Sequence, residues 1–145
     1  MKKTLMLLPI AALTLGACDR GCHKATEAEI AALFDRWNAS LATLDPALVA
    51  DNYTESAVLL ATVENDPRLT REERIAYFTD FLQLRPQGVI DSRTIKIHCN
   101  KAVDAGVYTF TFGDGTRVQA RFTYTYEWNG RDWKISHHHS SAMPN

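Results

Sequence analysis

The chain has no basic cluster, no internal repeat and no low-complexity tract, and its 16 Lys and Arg nearly balance 17 Asp and Glu for a formal net charge of −1. Nucleic-acid binding needs a concentrated positive footprint, so that class is disfavoured. A glycine-rich phosphate loop followed by catalytic and metal-binding aspartates is also missing, which excludes kinase activity. No apolar run is long enough to cross a bilayer comfortably: residues 5–17 fall short of the ~20 residues a spanning helix needs. Cysteine is scarce, at three residues, and no CxxC pair with matching histidines indicates a structural zinc site.

What is present begins with an export signature. Lys2 and Lys3 precede the apolar stretch 5–17, which reads as a cleaved secretory signal. LGAC at 15–18 resembles the lipobox of bacterial lipoproteins, and the resemblance implies that Cys18 is the lipidated first residue of the mature chain. Ordinary cleavage after Ala17 is the alternative, although Leu15 is large for that route. Asp19 resembles an inner-membrane retention signal. The expected location is the bacterial periplasm, with the membrane touched only through the N-terminal lipid; a soluble secreted or periplasmic protein is the alternative. If Cys18 is lipidated, Cys22 and Cys99 remain as an even pair in an oxidising compartment, and a disulfide between them would tie the N-terminal tether to the sheet. A Cys18–Cys22 bond is the rival in an unlipidated chain. Signal 1–17, tether 18–25 and a single domain over 26–145 follow, a size at which one hydrophobic core suffices.

Helices occupy the first half. Thr26 and Glu29 form a capping box ahead of Ile30, Leu33, Phe34, Trp37 and Leu41 at helical spacing, predicting a helix that ends near Leu44. Asp45 and Pro46 start a short second helix to about Asn52, and a brief strand is expected over 57–62. Thr70 and Glu73 open a third helix through Ile75, Phe78, Thr79 and Leu82, which Arg85 and Pro86 end. After Gly88 the period becomes two. Ile95 and Ile97 alternate with polar residues, Tyr108, Phe110 and Phe112 follow, and Gly113 to Gly115 turn the chain. Phe122, Tyr124, Tyr126 and Trp128 then line one face of a long strand, with Arg121, Thr123, Thr125 and Glu127 on the other, and Asn129-Gly130 predicts a type I′ hairpin. The expected fold is α+β, with N-terminal helices packed on a curved antiparallel sheet.

The last strand, WKISHHHSSAMP at 133–144, sets three consecutive histidines between an apolar stretch and two serines. It is not an expression tag, because ordinary sequence follows it. Strict alternation places His137 and His139 on the face of Trp133 and Ile135, buried or lining a pocket, and His138 on the opposite face as a surface or interface ring.

LFDRWNASL (33–41), VLLATV (58–63), YTFTFGDG (108–115) and the histidine strand together resemble the bacterial relatives of the calcium/calmodulin-dependent protein kinase II association domain. That family belongs to the cone-shaped nuclear transport factor two-like, or SnoaL-like, superfamily, with polyketide cyclases and ketosteroid isomerase. The resemblance implies a homo-oligomer, a dimer or a larger ring, with a polar pocket between the sheet and the first helix. Calmodulin binding is not expected, since the first helix carries Glu27, Glu29 and Asp35 against Arg36. Animal members bind small carboxylates through pocket arginines; here the corresponding positions hold Thr123 or Tyr124, and Ser140 follows the last histidine, leaving Arg121 as the nearest charge.

The leading expectation is a non-catalytic pocket for a small organic ligand, such as a small organic acid, with Arg121 as charge partner, His137 and His139 as hydrogen-bonding groups, and Trp37, Tyr53, Tyr124 and Ser140 around them. An isomerase-like or dehydratase-like enzyme is the alternative, with His137 or His139 as base and Tyr53 or Tyr124 as donor. No carboxylate is evident on the core face of the sheet, which such chemistry would want. A metal on His137 and His139 lacks a third ligand unless His98 converges, so no metal or cofactor is expected. A purely structural oligomer is the remaining reading. Asn38 and Asn52 fit glycosylation patterns by coincidence in a bacterial chain.

Overall fold

The computed structural model describes residues 21–144. The expected signal 1–17 and the lipid-bearing Cys18 lie outside the described residues. Helix α1 (Glu27–Ala42) starts where its capping box requires: the Glu29 backbone N–H donates to Thr26 Oγ1 at 3.2 Å, and the Thr26 N–H donates to the Glu29 carboxylate at 2.7 Å. Its buried stripe is Ile30, Leu33, Phe34, Trp37 and Leu41. Helix α2 (Pro46–Ala50) is capped by Asp45, and α3 (Arg71–Phe81) by the reciprocal pair Thr70 and Glu73. A 3₁₀ turn over Leu82–Leu84 extends α3 until Arg85, in the left-handed region with φ 49°, redirects the chain ahead of Pro86.

Five strands complete the domain: β1 (Tyr53–Leu60), β2 (Gln87–His98), β3 (Lys101–Thr111), β4 (Arg117–Trp128) and β5 (Trp133–Ala142). They lie in the order β1-β5-β4-β3-β2. Strands β2 to β5 form the expected antiparallel meander, while β1 joins β5 in parallel, so the sheet is mixed. The period-two signal carries no direction, and the run expected over 57–62 begins earlier, at Tyr53. The β4–β5 connection is wider than a two-residue hairpin, since Trp128 pairs with Trp133 and Asn129 Oδ1 accepts from the N–H groups of Arg131 and Asp132.

The sheet's inner face wraps α1. Phe34 meets Tyr108, Phe122 and Tyr124, and Trp37 meets Phe110 and Tyr124, all with ring centroids 5.8–6.5 Å apart. Asn38 clamps the helix to β2, donating to the Gly88 carbonyl at 2.9 Å and accepting from its N–H at 2.8 Å. Two irregularities bend the sheet. In β2 the register shifts between Ile90 and Ser92, and the facing Gly106 must lack a side chain because a Cβ there would lie 1.9 Å from the Ser92 carbonyl oxygen. In β5, Ile135 pairs with Tyr126 and His137 with Thr125, which leaves Ser136 as an extra residue in the ladder.

That bulge corrects the expected placement of the histidines. Strict alternation holds from Trp133 to Ile135, but the extra Ser136, itself buried, reverses the parity, so His138 and Ser140 point inward while His137 and His139 are exposed on the outer face.

Candidate functional site

A pocket of about 540 Å³ opens between α3, the segment 61–68 and the ends of β1, β3, β4 and β5. Its walls are largely aromatic, with Tyr77, Phe78, Phe81, Phe110 and Phe112 lining it, and its rim carries Glu64, Arg68 and Asp80. The polar groups deeper in are His138, Ser140, Tyr108 and Thr62. Strand β5 delivers the first two at i and i+2 on one face, β3 supplies Tyr108, and the chain leaving β1 supplies Thr62.

His138 is only 5% exposed. Its ring stacks on Tyr124, centroids 4.1 Å apart, and meets Trp37 edge-on at 5.4 Å. Trp37 Nε1–H donates to the Tyr53 hydroxyl oxygen at 3.1 Å, and that hydroxyl lies 2.9 Å from His138 Nδ1. The Tyr53 proton is buried and needs an acceptor, and Nδ1 is the one at hand, so this relay assigns the ring proton of the neutral imidazole to Nε2. Nε2 has no protein partner among the described residues. Burial, with a smaller contribution from His139, pushes the imidazole pKa down to about 3, so the ring is uncharged at neutral pH. Burial also holds the Tyr53 and Tyr124 phenols well above their ordinary range, so both remain protonated.

Beside the histidine runs a chain of hydroxyls. Tyr108 O–H donates to Ser140 Oγ at 2.6 Å, and Ser140 Oγ lies 2.5 Å from Thr62 Oγ1. Burial raises the Tyr108 phenol as well, against the opposing hydrogen bond to Ser140.

Of the seven residues expected to form the site, Trp37, Tyr53, Tyr124 and Ser140 converge, and the other three do not. His137 places Nδ1 3.2 Å from Thr125 Oγ1 on the outer face, and His139 is exposed opposite Thr123. Arg121 is exposed, with Nη2 3.5 Å from the Ala142 carbonyl, and its strand neighbours with the same parity point away from the core. His98 is exposed on β2, separated from β5 by two strands, and no group of three or more His, Cys, Asp or Glu side chains gathers as a metal site among the described residues.

Sequence reasoning missed His138, Thr62 and Arg68, and it missed a buried carboxylate. Asp104 is fully buried on the inner face of β3, 3.0 Å from Arg93, contrary to the expectation of no acid there. Burial raises its pKa and Arg93 opposes the shift. The signal was available, because Asp104 shares the parity of Tyr108 and Phe110. It sits outside the aromatic pocket and pairs with arginine, so it supplies no base there.

The expected disulfide is present. Cys22 and Cys99 are bonded with their Cα atoms 5.0 Å apart, and Cys99 sits in the β2–β3 turn. His23 extends the attachment by stacking on Trp128 at 3.8 Å and donating its N–H to Asn100 Oδ1 at 2.8 Å.

Known proteins agree with this architecture. No curated protein matches the chain in sequence. A Pseudomonas putida NTF2-like protein of unknown function shares the fold with TM-score 0.73 at 19% identity, covering 86% of this chain and 92% of its own. The iota-carbonic anhydrase of a cyanobacterium, solved with bicarbonate, shares it with TM-score 0.74 at 20% identity, covering 83% of this chain and 94% of its own. A Xanthomonas campestris protein described as a calcium/calmodulin dependent protein kinase II association domain is 50% identical, with TM-score 0.79, over 84% of this chain and 91% of its own. The model of that family, calcium/calmodulin dependent protein kinase II association domain, matches residues 26–144. The family-model match over residues 26–144 and the 50% identical relative show that the chain belongs to the calcium/calmodulin dependent protein kinase II association domain family.

Proposed function

We propose that the pocket binds carbon dioxide and bicarbonate and catalyses their interconversion. The observation that carries this reading is the pairing of an uncharged imidazole, with its Nε2–H unpartnered, and the hydroxyl chain Tyr108–Ser140–Thr62 at the inner end of an apolar-walled cavity. Carbon dioxide is apolar and suits the aromatic walls. A water molecule held by Ser140 and Thr62 attacks its carbon, forming one C–O bond as one C=O π bond opens onto oxygen. The Nε2–H of His138 donates to that oxygen as its negative charge grows, which a neutral imidazole in a dry site does well. The water's proton leaves along the hydroxyls toward solvent and the rim carboxylates Glu64 and Asp80, so carbon dioxide and water become bicarbonate and a proton. The bicarbonate complex of a carbonic anhydrase with this fold supports the choice of substrate.

Stopped-flow hydration of carbon dioxide with a pH indicator tests the proposal. Ser140→Ala and His138→Gln are each expected to lower kcat/KM by about 100-fold, the scale of losing one stabilising donor. A wild-type rate no faster than the uncatalysed reaction would refute it.

The phenylalanine walls favour a second reading, a small organic acid held without conversion, since the cavity falls within the ~300–1,000 Å³ range of organic-ligand sites. A reproducible excess mass in native mass spectrometry, lost in Ser140→Ala, is its mark. Around either pocket we propose a self-associating domain, exported to the periplasm and anchored through Cys18. The LGAC sequence supports the anchor, and the Cys22–Cys99 bond suits an oxidising compartment. Cys18→Ser should move the protein from the membrane to the soluble fraction; retention on the membrane would remove the anchor.

A further inference from the structure

We infer that Arg68 is the residue through which the pocket recognises an anion, and that Glu64 is its built-in competitor. The inference rests on reading the pocket as an oxyanion site. Sequence pattern pointed to Arg121, which lies on the outer face. Among the described residues lining the pocket, Arg68 is the one cation, facing the acids Glu64 and Asp80.

The backbone fixes where this arginine can reach. Arg68 N–H donates to the Leu59 carbonyl at 2.9 Å and Leu59 N–H returns a bond to Arg68 at 3.1 Å, an isolated antiparallel bridge at the free edge of β1. Residues facing one another across such a bridge project to the same side. Leu59 is buried on the inner side and is in register with His138 on β5. Arg68 therefore shares the face of His138, two strand spacings or roughly 10 Å away, a gap that an extended arginine side chain largely closes.

The guanidinium is only half used. Nη2 donates to Glu64 Oε2 at 2.6 Å, while Nε on the same edge is buried without a partner. That edge is shaped for the two oxygens of a planar oxyanion, and Glu64 engages a single one of its donors. The Glu64 pair is local in sequence and partly exposed, the kind of ion pair that contributes little and exchanges readily. Bicarbonate or another small carboxylate would take both donors and displace Glu64. Carbon dioxide, without charge, gains nothing from Arg68, so the residue separates the two partners of the reaction by charge while His138 and Ser140 act on both.

Backbone-amide NMR titrations with bicarbonate and with acetate test this independently of turnover. Arg68→Gln is expected to weaken both anions by about tenfold, the worth of a charged hydrogen-bond pair. Arg68→Lys should recover part of the loss, and Glu64→Gln should tighten binding. Because the Leu59 bridge is made by backbone groups, it survives all three changes, and the amide spectrum reports whether the fold does. Unchanged anion affinity in Arg68→Gln, in a protein whose affinity falls in Ser140→Ala, would overturn the inference, as would no binding of either anion by the wild type. Arg68-dependent anion binding without carbon dioxide turnover would sustain it and overturn only the proposed reaction.

Discussion

Burial of His138 between Tyr124 and Trp37 takes its imidazole out of the range in which histidine normally switches charge, and the Tyr53 hydroxyl fixes which nitrogen carries the proton. An acid–base role for this ring would require a proton it cannot hold at neutral pH, so its contribution is the Nε2–H bond itself. The same burial links stability to pH. The folded pKa lies near 3 against an ordinary 6.5, so the unfolded chain gains a proton first as pH falls. The stabilisation is complete above about pH 6.5 and is lost between there and about 3, at up to about 1.4 kcal/mol per pH unit. Urea unfolding at pH 7 and pH 5 should therefore show a steeper loss for the wild type than for His138→Gln, which has nothing to titrate at that position. Equal slopes would mean that the ring accepts a proton without leaving its place.

At the scale of elements, two irregular stretches determine what the pocket contains. In β1 the parallel register with β5 breaks between Tyr53 and Val58, which leaves carbonyls without ladder partners. Arg74 of α3, 1% exposed, answers them by donating to the carbonyls of Thr54, Glu55 and Ala57 at 2.7–3.0 Å. Arg74→Met keeps the side chain's bulk and removes every donor, so it should cost about 3 kcal/mol in urea unfolding, with the m-value unchanged. The three helices were legible in the sequence because their signals are local: capping boxes and apolar spacing for α1 and α3, the Asp45-Pro46 start for α2. The antiparallel meander was legible for the same reason, since alternation in β4 matches burial from Ala120 to Tyr126. The direction of β1 and the Ser136 bulge were not, because each depends on a partner strand distant in sequence. One unread residue in β5 was enough to exchange His137 and His139 for His138, while Trp37, Tyr53, Tyr124 and Ser140 all lie buried on the inner side. Arg68 escaped because its segment carries no periodic pattern, and Thr62 because it was read only as the end of a strand, which in fact stops at Leu60.

Across the whole molecule, the outer face of the sheet presents Thr123, Thr125, His137 and His139, a polar surface without cover from the described helices. If copies associate there, Thr123→Glu at its centre should yield monomers in native mass spectrometry with an unchanged circular dichroism spectrum; an intact oligomer would move the contact elsewhere. The disulfide makes a second global claim. Cys99→Ser should lower stability by about 2 kcal/mol, at the low end for a native bond because it fastens a short segment, and should release His23 from Trp128 with a change in tryptophan emission. The staple also has a fixed address. Cys99 and Trp128 mark one end of the long β3–β4 ladder, while the pocket residues Val118, Ala120 and Phe112 mark the other. If the chain ahead of Cys22 carries the proposed anchor, that anchor holds the domain by its base, like a cup on a stem. With an anchor there, the open side would be turned away from the attachment, and a small diffusing solute could enter from the surrounding fluid without first crossing the anchoring surface.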